Sequence, residues 1–245
     1  MNEVIIDIND YLAIKEDIIK KSIKQPIDKL ILTGIAPKNL GELFVNYSDS
    51  DMLTNVITTE INCKTIDLSN LDTSNVIDME YMFSDCENLE EIKGLDKLDT
   101  SNVTDMQGMF CSCENLKTLD VSNFDTSKVK YMSWMFECCK NLEEIKGLDK
   151  IDTSNVTDMY SIFYNCRNLK TLDLSNFDTS KVINIGYMFE DCKNLKTLDI
   201  SNFNMKNVRS TDGMFNDCPY IDTFKLPDDE RFDKYRPDKD SIDLD

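Results

Sequence analysis

The stretch that decides the fold is Asp125-Thr126-Ser127-Lys128-Val129-Lys130-Tyr131-Met132-Ser133-Trp134-Met135-Phe136-Glu137-Cys138-Cys139-Lys140-Asn141-Leu142. Its apolar residues Val129, Met132, Met135, Phe136 and Cys139 fall at offsets 0, 3, 6, 7 and 10. That spacing predicts one face of a short helix. Asp125, Thr126 or Ser127 offers a side-chain oxygen to cap its start. Upstream, Leu116, Leu119 and Val121 follow the pattern L-x-x-L-x-L, a short strand with alternating inward residues. One unit therefore reads as strand, cap, short helix and return.

The unit recurs. Met82-Phe83, Met109-Phe110, Met135-Phe136, Ile162-Phe163, Met188-Phe189 and Met214-Phe215 stand 27, 26, 27, 26 and 26 residues apart. Three residues after each phenylalanine comes a cysteine: Cys86, Cys113, Cys139, Cys166, Cys192 and Cys218. Asp-Thr-Ser-Asn/Lys-Val segments precede the pairs at Asp72, Asp99, Asp125, Asp152 and Asp178, with a diverged copy at Asn204 to Val208. No unit can bury its apolar side alone, so neighbours must stack on it. Strand centres at Asp67, Lys93, Asp120, Lys146, Asp173, Asp199 and Lys225 mark seven rungs. The 27-residue spacings fall where Ile92-Lys93-Gly94-Leu95 and Ile145-Lys146-Gly147-Leu148 replace the usual Leu-Asp-Leu. An extra residue beside glycine predicts a local bulge, and a doubled unit of 53 residues. The expected fold is an α/β solenoid of about seven rungs, with short parallel strands on one face and short helices on the other.

The ends depart from the repeat. Residues 4–8 and 30–32 read as strands, and Asp10 could cap a helix over residues 11–23 that Pro26 stops. Residues 1–61 are therefore expected to form a strand-helix-strand cap, residues 62–226 the solenoid, and residues 227–245 a charged C-terminal cap or tail.

Composition narrows the function. With 41% apolar residues and only 7 Gly and 5 Pro, the chain can bury a continuous core. No apolar run is long enough to span a bilayer. A net charge of −19 opposes binding to nucleic acid or anionic lipid. The absence of histidine removes the usual general base and the commonest metal ligand. The opening Met-Asn-Glu-Val-Ile-Ile-Asp lacks a basic n-region and does not read as a secretory signal. Nine cysteines, an odd number, with Cys111 and Cys138 outside the column, suit a reducing compartment.

Four features compete as sites. The cysteine column reads as small core residues, because stacked parallel side chains converge neither for a disulfide nor for zinc. The Asp72 to Asp178 column could form a calcium ladder, but backbone amides at each turn start can satisfy those carboxylates without metal. On the strand face, the column Asp67 to Lys225 and the column Lys64, Glu90, Lys117, Glu143, Lys170, Lys196, Asp222 alternate in sign. Such pairs would fix the stacking register. Alternation fails at Asp173/Asp199 and Lys170/Lys196, where charge would be left free for a partner. On the opposite face, Trp134, Tyr131, Tyr160 and Tyr187, with Tyr81 nearby, form a second candidate surface.

The pattern Asp-Thr-Ser-x-Val-x-x-Met-x-x-Met-Phe-x-x-Cys-x-Asn-Leu-x-x-Leu-Asp-Leu-Ser-Asn-Phe resembles the 26-residue bacterial surface-protein repeat, related to BspA-like leucine-rich repeats. The resemblance covers about residues 62–226. It implies a leucine-rich-repeat solenoid of the kind found in surface or secreted proteins that contact host or matrix proteins, and it carries no catalytic residues. The compartment stays open between the cytoplasm, which the absent leader and free thiols suggest, and the cell surface, which the resemblance implies. The expectation is a monomeric, non-enzymatic scaffold for a protein partner, without cofactor or metal. The alternative is a structural or assembly role with no dedicated ligand. No nucleophile elbow, P-loop or dinucleotide fingerprint supports an enzyme.

Overall fold

The structure, a computed structural model, describes residues 3–8, 28–40, 63–219, 221 and 223–236. Its strands are β1 (Glu3–Asp7), β2 (Lys29–Ile35), β3 (Thr65–Asp72), β4 (Glu91–Lys93), β5 (Thr118–Asp120), β6 (Glu144–Lys146), β7 (Thr197–Asp199) and β8 (Thr223–Lys225). Every pairing is parallel, and the repeat spacing sets the register: Thr65 lies opposite Glu91, Thr118 opposite Glu144 and Thr197 opposite Thr223. β1 and β2 extend the same sheet ahead of β3, so the two strands expected near the N-terminus continue the ladder. The helix expected over residues 11–23 lies outside the described residues.

The helix face is not there. Among the described residues the only helical segments are short 3-10 turns, and the side opposite the strands is a second parallel ladder. It runs Asn39, Asp78, Asp105, Tyr131, Asp158, Asn184, Ser210, one residue per rung. The N–H groups of Met79, Tyr81, Phe83 and Asp85 reach carbonyls of the next rung at 2.7–3.0 Å. Between them, the N–H groups of Met82, Ser84 and Cys86 close tight turns on Met79, Tyr81 and Phe83. Half of the donors thus leave the segment, so the i to i−4 bonds of a helix cannot form. Each rung also passes twice through the left-handed region. One column of such residues is Tyr81, Gly108, Trp134, Ser161, Tyr187 and Gly213; the other is Asp85, Ser112, Cys138, Asn165, Asp191 and Asp217. Apolar offsets of three serve successive turns as well as a helix. The fold is therefore a parallel β-solenoid of about seven turns, with turns where helices were expected.

Stacking aligns like with like in the core. Phe83, Phe110, Phe136, Phe163, Phe189 and Phe215 form a spine of nearly parallel rings, with successive centroids 5.5–5.9 Å apart. That spacing suits offset stacking. Beside the spine, Cys113, Cys139, Cys166 and Cys192 are fully buried, and each thiol donates to the phenylalanine carbonyl of the preceding rung at 2.9–3.1 Å. Burial pushes all four thiols well above their ordinary range and keeps them protonated, as that donation requires.

A buried threonine ladder locks the rungs. Thr126 Oγ1 accepts from Asp152 N–H at 2.8 Å and donates to Asp152 C=O at 2.9 Å. Thr73, Thr100, Thr153 and Thr179 repeat this with Asp99, Asp125, Asp178 and Asn204. The adjoining carboxylates accept instead from the serine amide two residues on, as Asp125 does from Ser127 at 3.1 Å. They cap turns, not helices. Thr126→Val keeps the shape but strands both backbone groups of Asp152, and is expected to cost about 1–3 kcal/mol in denaturant unfolding.

Two devices finish the coil. Where the repeat lengthens, Gly94 and Gly147 turn left-handed and 3-10 turns at Leu95–Lys97 and Leu148–Lys150 absorb the extra residue. The expected bulge is thus a turn. At the C-terminal end, Phe224, Phe232 and Tyr235 surround Phe215, the last ring of the spine, with centroids 4.9–6.2 Å away, and bury it. The Arg231 guanidinium fastens this cap by donating to the carbonyls of Val208 at 2.6 Å and Met205 at 2.8 Å, while pairing with Asp229. Residues 227–236 therefore cap the core.

Candidate functional site

On the strand face the expected charge alternation is only partly realised across rungs. Lys64 meets Glu90 at 2.7 Å, Glu143 meets Lys170 at 2.8 Å, and Asp199 meets Lys225 at 2.8 Å. Asp67 instead takes Lys29 of β2, while Lys93 and Lys146 turn to Glu91 and Glu144 of their own strands. Lys93 stands opposite Asp67 and Lys146 opposite Asp120 across intact ladders, so it is the reach of the long lysine side chains, not strand register, that selects the partner; the sheet is, in addition, interrupted. No strand pairing joins β4 to β5, and the Asp173 rung pairs with neither β6 nor β7. Shallow grooves of about 420 and 380 Å³ open at two of these breaks.

The smaller groove is lined by Thr171, Leu172, Asp173, Ser175, Asp199 and Asn202, among others, so Asp173 and Asp199 do share a site. Asp199 is not left free, however, because Lys225 first, and then Ser201, pulls its carboxyl down to about 2. Lys170 is likewise taken up by Glu143. Asp173 makes no ion pair among the described residues. Its oxygen accepts from the amide and hydroxyl of Ser175 at 3.1 and 2.6 Å. Lys196 makes no ion pair among the described residues either, and Asp222, in its column, lies outside them.

The opposite face is more ordered. Tyr81 and Trp134 stack at 6.4 Å, Trp134 and Tyr160 meet edge-on at 5.8 Å, and Tyr160 and Tyr187 at 5.5 Å. The result is one stripe of rings crossing the rungs. The exposed Tyr131 sits in the ladder beside it. Tyr81 reaches Trp134 only because the residue between their rungs is glycine: a Cβ on Gly108 would lie 2.1 Å from the Tyr81 ring. Gly213 makes the same room for Tyr187. Sequence reasoning missed the signal for this stripe, the large-small alternation Tyr81, Gly108, Trp134, Ser161, Tyr187, Gly213 in one column. Tyr81, Trp134 and Tyr187 hold φ values of 52°, 60° and 57°, where bulky side chains are rare and cost about 1 kcal/mol or more each.

Carboxylates border the stripe on both sides. Asp105 and Asp158 flank Tyr131 in the ladder, and Asp158 accepts from the Tyr160 amide at 2.9 Å. Across the stripe, the Glu137 and Glu190 amides close turns on the Trp134 and Tyr187 carbonyls. Burial pushes the Asp105, Glu137 and Glu190 carboxyls up, with Asp78 adding to the effect at Asp105. None of these four carboxylates has an ion pair among the described residues. Among those residues, too, no group of three or more His, Cys, Asp or Glu side chains is arranged to hold a metal ion, and no helix is long and apolar enough to cross a membrane.

Stacked rungs, like-residue ladders and a sealed core define the class: a parallel β-solenoid repeat protein. Residues 50–146 and 140–226 match the family model described as "Mycoplasma protein of unknown function, DUF285"; these spans take in well over half of the 245 residues, and the chain belongs to that family. Among solved structures it is similar to a leucine-rich repeat protein from Eubacterium ventriosum, at 15% identity and a TM-score of 0.31, over 92% of this chain and 78% of that one. No curated protein matches it.

Proposed function

We propose that the protein is a non-enzymatic scaffold that binds a protein partner, as a monomer, through the aromatic stripe centred on Trp134. The observation that carries this reading is that three bulky rings are held in left-handed backbone, two of them over glycines whose missing side chains make room for the ring. Glycine at the ring positions would relieve the backbone strain, so the rings are kept at a local cost. Strain retained at a partly exposed surface points to use of that surface. Tyrosine and tryptophan also dominate binding energy where partners meet. The resemblance to bacterial surface-protein repeats adds the setting, a surface or host-interaction role.

The test is affinity capture with the intact chain, its Trp134→Ala and Tyr160→Ala variants, and Asp173→Lys/Asp199→Lys on the strand face. Under this reading a specific partner is lost with the aromatic variants and retained by the strand-face variant. Loss with the strand-face variant alone would move the site to the groove at Asp173. A partner retained by every variant, or none in any condition, would favour the structural or assembly role.

A further inference from the structure

We propose that the segment recognised by the stripe is cationic: an extended stretch of a protein partner bearing arginine or lysine side chains, laid across the rungs. The inference rests on the stripe being the binding surface and adds the chemistry of what it takes.

Two properties of the surface converge on it. The first is the rings themselves. Trp134, Tyr160 and Tyr187 are half-buried and meet mainly edge-on, with interplanar angles of 85° and 69°, so successive rings turn different aspects outward. Ring faces attract guanidinium and ammonium groups, tryptophan most strongly. The second is the charge on either side. Asp105 and Asp158 stand along one edge and Glu137 and Glu190 along the other, all without an ion pair among the described residues. Several carboxylates that approach a neighbouring rung elsewhere do take a cation, as Glu114 takes Lys140, Asp191 takes Arg167 and Glu143 takes Lys170, and none does so along this stripe among the described residues.

The unmatched carboxylates are costly where they sit. Burial desolvates Glu137 and Asp105 in part, and neither has a cationic neighbour among the described residues. Glu137 accepts a thiol hydrogen bond from Cys111 at 3.8 Å, and Asp105 accepts from the Gln107 amide at 2.9 Å. An arriving guanidinium supplies two parallel donors to such a carboxylate and a flat face to the neighbouring ring. The only basic residue next to this surface in sequence is Lys130, which is exposed and makes no ion pair among the described residues. An anionic or neutral partner would leave the carboxylates unpaired on burial, which complementarity opposes.

Trp134 is the only tryptophan, so its emission reports occupancy of the stripe directly. The intact protein is titrated with an arginine–glycine repeat peptide and, separately, with a glutamate–glycine repeat peptide. The expected result is a saturable change in Trp134 emission with the arginine peptide alone. Glu137→Gln/Glu190→Gln is expected to weaken that binding by about fivefold or more, whereas Asp120→Asn/Asp173→Asn, which removes equal charge from the strand face, changes it by less than about twofold. Equal weakening by the two double variants would mean attraction to overall charge and would overturn the proposal. So would a response to both peptides or to neither. A captured partner that depends on Trp134 but contacts it through a neutral or acidic segment would sink the cationic assignment while leaving the scaffold reading intact. A partner indifferent to Trp134 would sink both.

Discussion

Replacing Phe136 with alanine is expected to destabilise the protein by about 3–5 kcal/mol, the largest effect of any single substitution in the solenoid. The ring is 1% exposed and lies between Phe110 and Phe163 at 5.8 and 5.7 Å, so its removal leaves two rings facing a void. In a repeat array each rung leans only on its neighbours, and a central cavity weakens two interfaces at once. The turn-side ladder ties this rung to both neighbours, through Phe110 N–H to Met135 C=O and Phe136 N–H to Ile162 C=O, and leaves it little freedom to collapse into the gap, which puts the cost toward the upper end. Denaturant unfolding of the variant beside wild type measures this through the shift in midpoint. A loss under about 1 kcal/mol would mean that the spine is not packed as described. A broadened or biphasic transition would further show the two halves parting at the vacated rung.

The next largest effect is expected at Gly147. Its φ of 84° is one that side chains rarely adopt, and an added Cβ would lie 2.4 Å from Ser122 Cα and 2.5 Å from Ser122 N. Those atoms are backbone of the preceding rung and cannot rotate away, so Gly147→Ala must push two rungs apart where β5 and β6 pair. A cost of about 2–4 kcal/mol follows from combined backbone strain and overpacking. Gly186 supplies the comparison. A Cβ there meets the Asn184 and Ser210 side-chain oxygens at 3.2 and 3.3 Å, both movable, so Gly186→Ala is expected to change stability by less than about 1 kcal/mol. If both variants unfold at the same denaturant concentration, the close approach at Gly147 is not real.

The phenylalanine column is plain in the sequence, because stacking identical rungs must bring residues 26 or 27 apart into register. The strand register, the buried cysteines and the glycines at the long spacings follow by the same logic. The C-terminal cap was half visible as a charged tail. Its anchor, Arg231 reaching the carbonyls of Met205 and Val208, was not, since no periodicity links a cap to the last rung. The threonine ladder lay inside the quoted motif, but read as a capping residue. Its hydroxyl serves a rung 25 or 26 residues away, and local pattern is blind to that.

The candidate surface divides in the same way. Trp134, Tyr160 and Tyr187 could be assigned to one face from spacing alone, and the structure brings them together. That Tyr81 joins them depends on Gly108 being empty beneath its ring. On the strand face, sign alternation was legible but its pairing was not, because flexible lysines opposite Asp67 and Asp120 turn to carboxylates of their own strands and Asp67 takes Lys29 of β2.

By itself, then, the sequence determined that this chain stacks, in what register, and which side chains meet in the core, because those follow from a repeat that cannot bury itself alone. It did not decide between helix and turn opposite the strands. Offsets of 0, 3, 6, 7 and 10 satisfy both, and the choice depends on where the amides of each rung find acceptors. Once rungs are in contact, the Phe136 amide donates to Ile162 C=O and the Trp134 amide to Tyr160 C=O, and a helix would forfeit every such bond. Only the tertiary structure supplies those acceptors, and it is the resulting turns, with their left-handed residues, that bring the aromatic rings into one stripe.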